Sequence, residues 1–297
     1  MKLQKENKFK KMIVSNIHKG LIIAGIGVLG FSFFPTAFKL LDIHFSNNKQ
    51  NEVVAAAINP DYNPNSDIIY DDTQNNLTDN ETATPVEEKS KYDFEKLRET
   101  NPNIIAVIEG SCFEGGYYPV VATSSNDDMT YYTKHSIDNQ YSTTGTLFMD
   151  CTNNKDDQVT RIWGHNFHND GKNMFTGLAN TCQDQTTFDN TLRNDNSLKL
   201  YTEDGEYDLD VAACIINDPR TQGLGNYGDQ NAFLNDMTNI QNSSVIQTDT
   251  KIEANDEVLI LSTCTNLGSA NDPYNRISVY CKKTPTKIYQ MNQGKTL

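Results

Sequence analysis

The chain is 297 residues long, enough for one large domain or two small ones, and carries a formal net charge of −14. The charge is uneven: residues 1–19 hold six lysines and one glutamate, which leaves 19 Lys and Arg against 38 Asp and Glu elsewhere. An acidic body of that kind repels phosphate backbones and argues against nucleic acid as a partner.

Behind the basic tail runs "GLIIAGIGVLGFSFFPTAF", Gly20 to Phe38, without a charged residue. About twenty apolar residues span a bilayer's hydrocarbon core as a helix. Lysines on the N-terminal side favour a cytoplasmic N-terminus, so the segment predicts a single-pass type II membrane anchor with the remainder of the chain outside the cell. A cleaved signal peptide is the competing reading, but the small-residue run Ala55–Ala57 lies well beyond the apolar segment. Residues 39–89 are then expected to be a flexible extracellular stalk. Stretches such as "NPDYNPNSD" and "DDTQNNLTDNETATPVEE" supply too few large apolar side chains to bury a core.

A folded domain is expected over 90–297. It opens with "SKYD", Ser90 to Asp93, which has the form of a capping box, and Phe94 and Leu97 follow at helical spacing before Pro102 stops the helix. Downstream the period becomes two. "IIAVIEG", "YYPVVAT", "MTYYTKH", "GTLFMD", "VTRIWGH", "SLKLYT", "YDLDVAACII", "DEVLILSTC" and "RISVYCKK" are short, β-branched or aromatic, and bounded by turn residues. Helical patterns are confined to about Met174–Asn180 and Asn231–Ile240. Many short strands with few helices predict a mainly β fold, a closed or nearly closed barrel.

Six cysteines outside a cell would ordinarily suggest disulfides, but their spacing shows no tight pairing. Cys112, Cys151, Cys182, Cys214 and Cys281 read as small buried residues or idle thiols. Cys264 differs because it ends the apolar run "LILSTC", where a strand should emerge into a loop. A thiol nucleophile needs a base or cation beside it. His18 lies in the cytoplasmic tail and His44 just past the membrane, which leaves His135, His165 and His168. "RIWGHNFHNDG" places His165 directly after a strand, behind a glycine expected to let the backbone turn. His168 raises the question of a metal pair, but no third ligand stands nearby, and neither metal nor cofactor is expected. Arg276 opens the strand after Cys264, and consecutive strands usually pair, so its guanidinium could stabilise an oxyanion; a surface salt bridge is the plainer alternative.

"LSTCTN", "NRISVY" and "WGHNF" together resemble the signature of the sortases, membrane-anchored cysteine transpeptidases of Gram-positive bacteria. "YYPVV", "YYTKH", "GTLFMD" and "WGHNFHNDGKNMFTGL" are most similar to the class B branch, and the likeness runs from about Lys91 to the C-terminus. Trp163 departs from it where tyrosine is more usual, and the loop from Cys264 to Arg276 is a residue or two longer than the family's. The resemblance implies a closed sortase-type β-barrel with an N-terminal helix and a few short helices in loops. It implies Cys264 as nucleophile, His165 as general acid and base, and Arg276 as substrate clamp and oxyanion stabiliser. Ser262, Thr263 and Thr265 would contact substrate. The partners it implies are secreted proteins bearing a C-terminal sorting motif and an amine acceptor, from a peptidoglycan precursor or a pilin lysine. Two other readings compete. Another thiol peptidase is disfavoured because papain-like enzymes carry the cysteine before the histidine and on a helix, and L,D-transpeptidases want a Ser-His-Gly-Cys run. A non-enzymatic tethered binding module would leave the three residues to coincidence.

Overall fold

The computed structural model describes residues 41–64, 90–195, 197–264 and 275–289. The chain divides after Phe45; of the first unit only helical residues 41–45 are described, and everything below concerns the second, from Ser46 onward. The apolar segment Gly20–Phe38 lies outside the described residues, among which no helix is long and apolar enough to cross a membrane.

Eight strands close into a barrel: β1 (Ile104–Glu109), β2 (Tyr117–Val121), β3 (Leu147–Met149), β4 (Val159–Trp163), β5 (Lys199–Thr202), β6 (Gly205–Asn217), β7 (Glu257–Cys264) and β8 (Arg276–Ile288). They are ordered β1-β2-β3-β4-β7-β8-β6-β5. Closure leaves no sheet edge to pair with other chains. The barrel expected from the period-two runs is therefore present.

Strand β7 is buried on both faces, which is why its sequence is an almost unbroken apolar run. Leu259 and Leu261 point into the barrel with Ile162, Ile277 and Val279. Val258 and Ile260 pack outward with Tyr280 against Phe233 and Met237 of helix α6 (Gln230–Asn242). Each such side chain, fully buried, contributes about 1.5–3 kcal/mol. This two-sided packing fixes the height at which β7 ends.

Helix α1 (41–56) and the segment after it correct the expectation of a stalk throughout 39–89, because residues 46–64 pack on the barrel. Val54 and Ala57 are buried with Tyr92, Phe94, Leu97, Ile104 and Val121. Asn59 N–H donates to the Lys91 carbonyl and Asp93 N–H to that of Ala57, each at 2.8 Å. Asn47, Gln50, Val54 and Ala57 recur at three- and four-residue spacing, so they share one helix face. That face is half polar, and composition alone reads it as solvent-exposed.

Helix α2 (Phe94–Thr100) is capped by Asp93, whose carboxylate accepts from Lys96 N–H, rather than by Ser90. The run "MTYYTKH" is not a strand: α3 (Asn126–Tyr132) covers most of it. Ser125 caps α3 by accepting from Asp128 N–H, and Asp127 and Asp128 occupy the first turn, where the helix dipole favours negative charge. The start signal outweighs the β-propensity of the tyrosines. Helices α4 (Thr176–Cys182) and α6 fall where helical spacing places them, whereas α5 (Gln185–Thr191) is polar apart from the buried Phe188 and carries no apolar period.

Candidate active site

Strand register builds the site. In the antiparallel β7–β8 pair Cys264 lies directly opposite Arg276. Opposed residues of such a pair have Cα atoms about 4.5–5.5 Å apart. On the other side β4 runs parallel to β7, with Trp163 level with Ser262. His165 and Cys264 each follow two residues later, at the same end of the barrel, on strands about 4.8 Å apart. The three residues singled out by sequence are thus brought to one end of three adjacent strands.

Gly164, between Trp163 and His165, lets the end of β4 pack tightly against its neighbours. A Cβ there would lie 2.4 Å from Leu147 Cδ2 and 2.6 Å from Phe175 Cδ2. Both neighbours are fully buried and have no room to move. The glycine therefore serves tight packing rather than the sharp backbone turn expected of it, and its backbone is not in the left-handed region. Its N–H donates to the Ser262 carbonyl at 3.1 Å and its own carbonyl accepts from Thr263 Oγ1 at 2.7 Å, stapling β4 to β7 just before both strands end.

The imidazole of His165 is half-buried, and Nε2 lies 2.8 Å from the carbonyl oxygen of Thr133, at the end of α3. A carbonyl only accepts, so Nε2 carries the hydrogen, and in the neutral ring the lone pair is on Nδ1. This is the orienting role that a carboxylate or carbonyl plays behind many catalytic histidines. From the other side, Phe175 N–H donates to the backbone carbonyl of His165 at 3.0 Å. Thr133 acts through its backbone, so no side-chain motif announced it.

His165 borders an open cleft of about 590 Å³, with Met129 and Thr133 on the α3 side and Phe148, Trp163, Thr263 and Arg276 on the barrel side. The remaining wall is the 3-10 turn Pro219–Thr221. Trp163 is fixed by Nε1–H donation to Asp150 Oδ2 at 2.9 Å. The Arg161 guanidinium lies 5.1 Å from the Trp163 ring and donates to the Pro219 carbonyl at 3.4 Å and to Gln222. That buried cation ties the indole to the turn opposite. On the turn, hydrogen bonds from Arg220 hold the Asp218 carboxyl below the usual carboxylate range, and the charge of Arg276 adds to this. No local pattern selects Asp150 or Arg161, whose partners Trp163 and Pro219 lie well apart from them along the chain, while Asp218 and Arg220 pair with each other and reach the cleft only through the fold.

Ser262 was expected to touch substrate, and the structure places it elsewhere. It is fully buried, with Oγ 3.1 Å from Ser278 Oγ, which also accepts from Gln222. Thr263 borders the cleft, but its hydroxyl is committed to Gly164. Thr265 lies outside the described residues. His168 is exposed, in a left-handed turn with φ of 54°, and among the described residues no three His, Cys, Asp or Glu side chains converge as metal ligands. His168→Ala should accordingly keep peptide-cleavage activity within about threefold of wild type, since surface changes away from a site act weakly. A complete loss in that assay would bring back a paired-histidine site.

The other five cysteines are free thiols, four of them buried. Cys112, Cys182, Cys214 and Cys281 are free and buried, and burial pushes the Cys112 and Cys214 thiols up to about 12. Cys151 is free but only half-buried, its thiol raised by burial and by the neighbouring Asp150.

Among solved structures the fold is similar to sortase B from B. anthracis in complex with AAEK1, at 24% identity over 68% of this chain and 89% of that one, with a TM-score of 0.54. It is similar to sortase B from Clostridium perfringens at 21% identity, over 64% and 99% of the two chains, with a TM-score of 0.55. A Staphylococcus aureus sortase B–substrate complex matches at 22% identity, over 65% and 84%, with a TM-score of 0.54. No protein-family model and no curated protein sequence matches the chain. The chain has a class B-like sortase fold.

Proposed function

We propose that the protein is a cysteine transpeptidase of the sortase type. The observation that carries this reading is the register that sets Cys264 opposite Arg276 while β4 delivers His165 to the same end of the barrel. A lone strand-end thiol is common; one beside a guanidinium and an oriented imidazole is equipped for acyl transfer.

In this reading the Cys264 thiol gives its proton to His165 Nδ1 as the sulfur adds to a backbone carbonyl of a sorting signal. The carbonyl oxygen becomes an oxyanion held by Arg276. The C–N bond then breaks, a thioester forms, and the leaving amine takes a proton from His165 Nδ1. An incoming amine attacks the thioester and gives its proton to the same nitrogen, and a new amide forms as the C–S bond breaks and Nδ1 returns that proton to the Cys264 sulfur. General acid–base transfer of this kind contributes about 10²–10⁴-fold. The acyl donor would be a secreted protein with a C-terminal sorting motif and the acceptor an amine of the cell wall precursor or of a pilin. The segment Gly20–Phe38 would tether the enzyme to the cell membrane, with the barrel outside.

The test is a peptide-library cleavage screen run with and without amine acceptors. The protein used should begin at Ser46 rather than Ser90, because residues 46–64 pack on the barrel. Selective cleavage with acceptor-dependent formation of a new amide is expected. A protein that binds peptides but cuts none would instead be a surface binding module.

A further inference from the structure

We infer that Gln50 of α1 is a positioning residue for His165, an inference that rests on the transpeptidase reading above. Gln50 is fully buried. Its Nε2 donates to the Gly145 carbonyl at 3.4 Å and lies 4.0 Å from Met174 Sδ. These two neighbours belong to the two segments that hold the histidine, one on the ring side and one on the backbone side.

On the ring side, Gly145 adopts φ of +66° and is pressed onto the end of α3. A Cβ at that position would lie 2.6 Å from the Tyr132 carbonyl oxygen and 2.9 Å from that of Thr133. Thr146 N–H donates to the Tyr132 carbonyl at 2.9 Å, and the Thr133 carbonyl is the acceptor for His165 Nε2. On the backbone side, Met174 is buried in the left-handed region at φ of 51°, with its N–H donating to Tyr118 OH at 3.0 Å. A non-glycine residue persists there only where its surroundings over-determine it. The next residue, Phe175, donates to the His165 carbonyl. One turn earlier on α1, Asn47 donates to Asn173, so the same helix face grips both ends of the Asn173–Met174 segment.

The seam is a poor device for stability alone. Among the described residues, no hydrogen-bond partner meets the buried Gln50 Oε1, Asn47 Oδ1, Ser46 Oγ and Thr144 Oγ1 there. Each such buried polar group is costly to leave unpaired, and apolar residues of similar shape would hold the helix more firmly. What the polar seam provides is alignment, since it joins α1 at once to the carbonyl that orients the imidazole and to the segment that fixes its backbone.

Gln50→Met in the full chain separates the two roles, because methionine keeps the length and helix propensity while removing both the donor and the unpaired oxygen. The melting temperature should stay level or rise. Peptide-cleavage kcat should fall about tenfold, as expected for a displaced catalytic group, with KM within about twofold. In the Cys264→Ala background, the ¹⁵N signals of the His165 ring should lose the signature of a single Nε2–H tautomer. Wild-type kcat together with unchanged ring signals would overturn the inference. Should Gln50→Met fail to fold, Asn47→Ala, which cuts only the contact to Asn173, is scored by the same two readouts. If the wild-type chain itself cleaves no peptide, the transpeptidase reading fails, while the ¹⁵N comparison still decides whether Gln50 orients His165.

Discussion

Replacing Cys264 with alanine is expected to lower peptide cleavage and transpeptidation by about four orders of magnitude or more, the usual consequence of deleting a covalent nucleophile. The fold should survive. Leu259 and Leu261 inside the barrel and Val258 and Ile260 outside it hold β7 in place, and Cys264 is the last residue of that strand. The melting temperature should move by no more than about 2–4 °C, equivalent to about 1 kcal/mol. Alkylation supplies an independent check. The reagent should mark Cys151 in the variant and both Cys151 and Cys264 in the wild type, because the other four thiols are buried. Cys151→Ser then shows whether inactivation follows Cys264 alone. Appreciable transpeptidation by Cys264→Ala would sink the proposed mechanism, whatever the likeness of fold.

The parts of this site that were legible in sequence are those encoded locally. "LILSTC" and "RISVYC" read as strands because β-branched and leucine side chains fill a two-sided core, and pairing of consecutive strands was enough to place Arg276 beside Cys264. The parallel neighbouring of β4 and β7 could not be read, since about ninety residues separate them and no local pattern specifies a partner at that distance. His165 was found by its resemblance to a family motif and by its strand-end position; its working geometry comes from Thr133, a backbone carbonyl on a helix that aromatic residues made look like a strand. Ser262 failed for a related reason. It stands two residues before Cys264 on β7, but its side chain there is covered by Ser278 and Gln222. The seam of α1 was the least legible feature, because a helix face of Asn and Gln has the composition of a linker until its partners are known.

His165→Ala carries the second large expected effect, a loss of about 10²–10⁴-fold in both thioester formation and its resolution by an amine. The two half-reactions should suffer together because one nitrogen serves both. With Nε2 bonded to the Thr133 carbonyl, only Nδ1 remains to give a proton to the departing amine and to take one from the arriving amine. In the proposed mechanism substrate binding would draw on other walls of the cleft, so KM should stay within about threefold. The substitution also opens space in a cleft of about 590 Å³, enough to admit free imidazole. Added imidazole should therefore restore part of the lost rate in His165→Ala and none in Cys264→Ala. That contrast separates a proton carrier from a merely structural histidine, since a lost packing contact is not repaired by a mobile base. Activity of His165→Ala within threefold of wild type would move the acid–base role to another group in the cleft and leave the Thr133 contact as a packing detail.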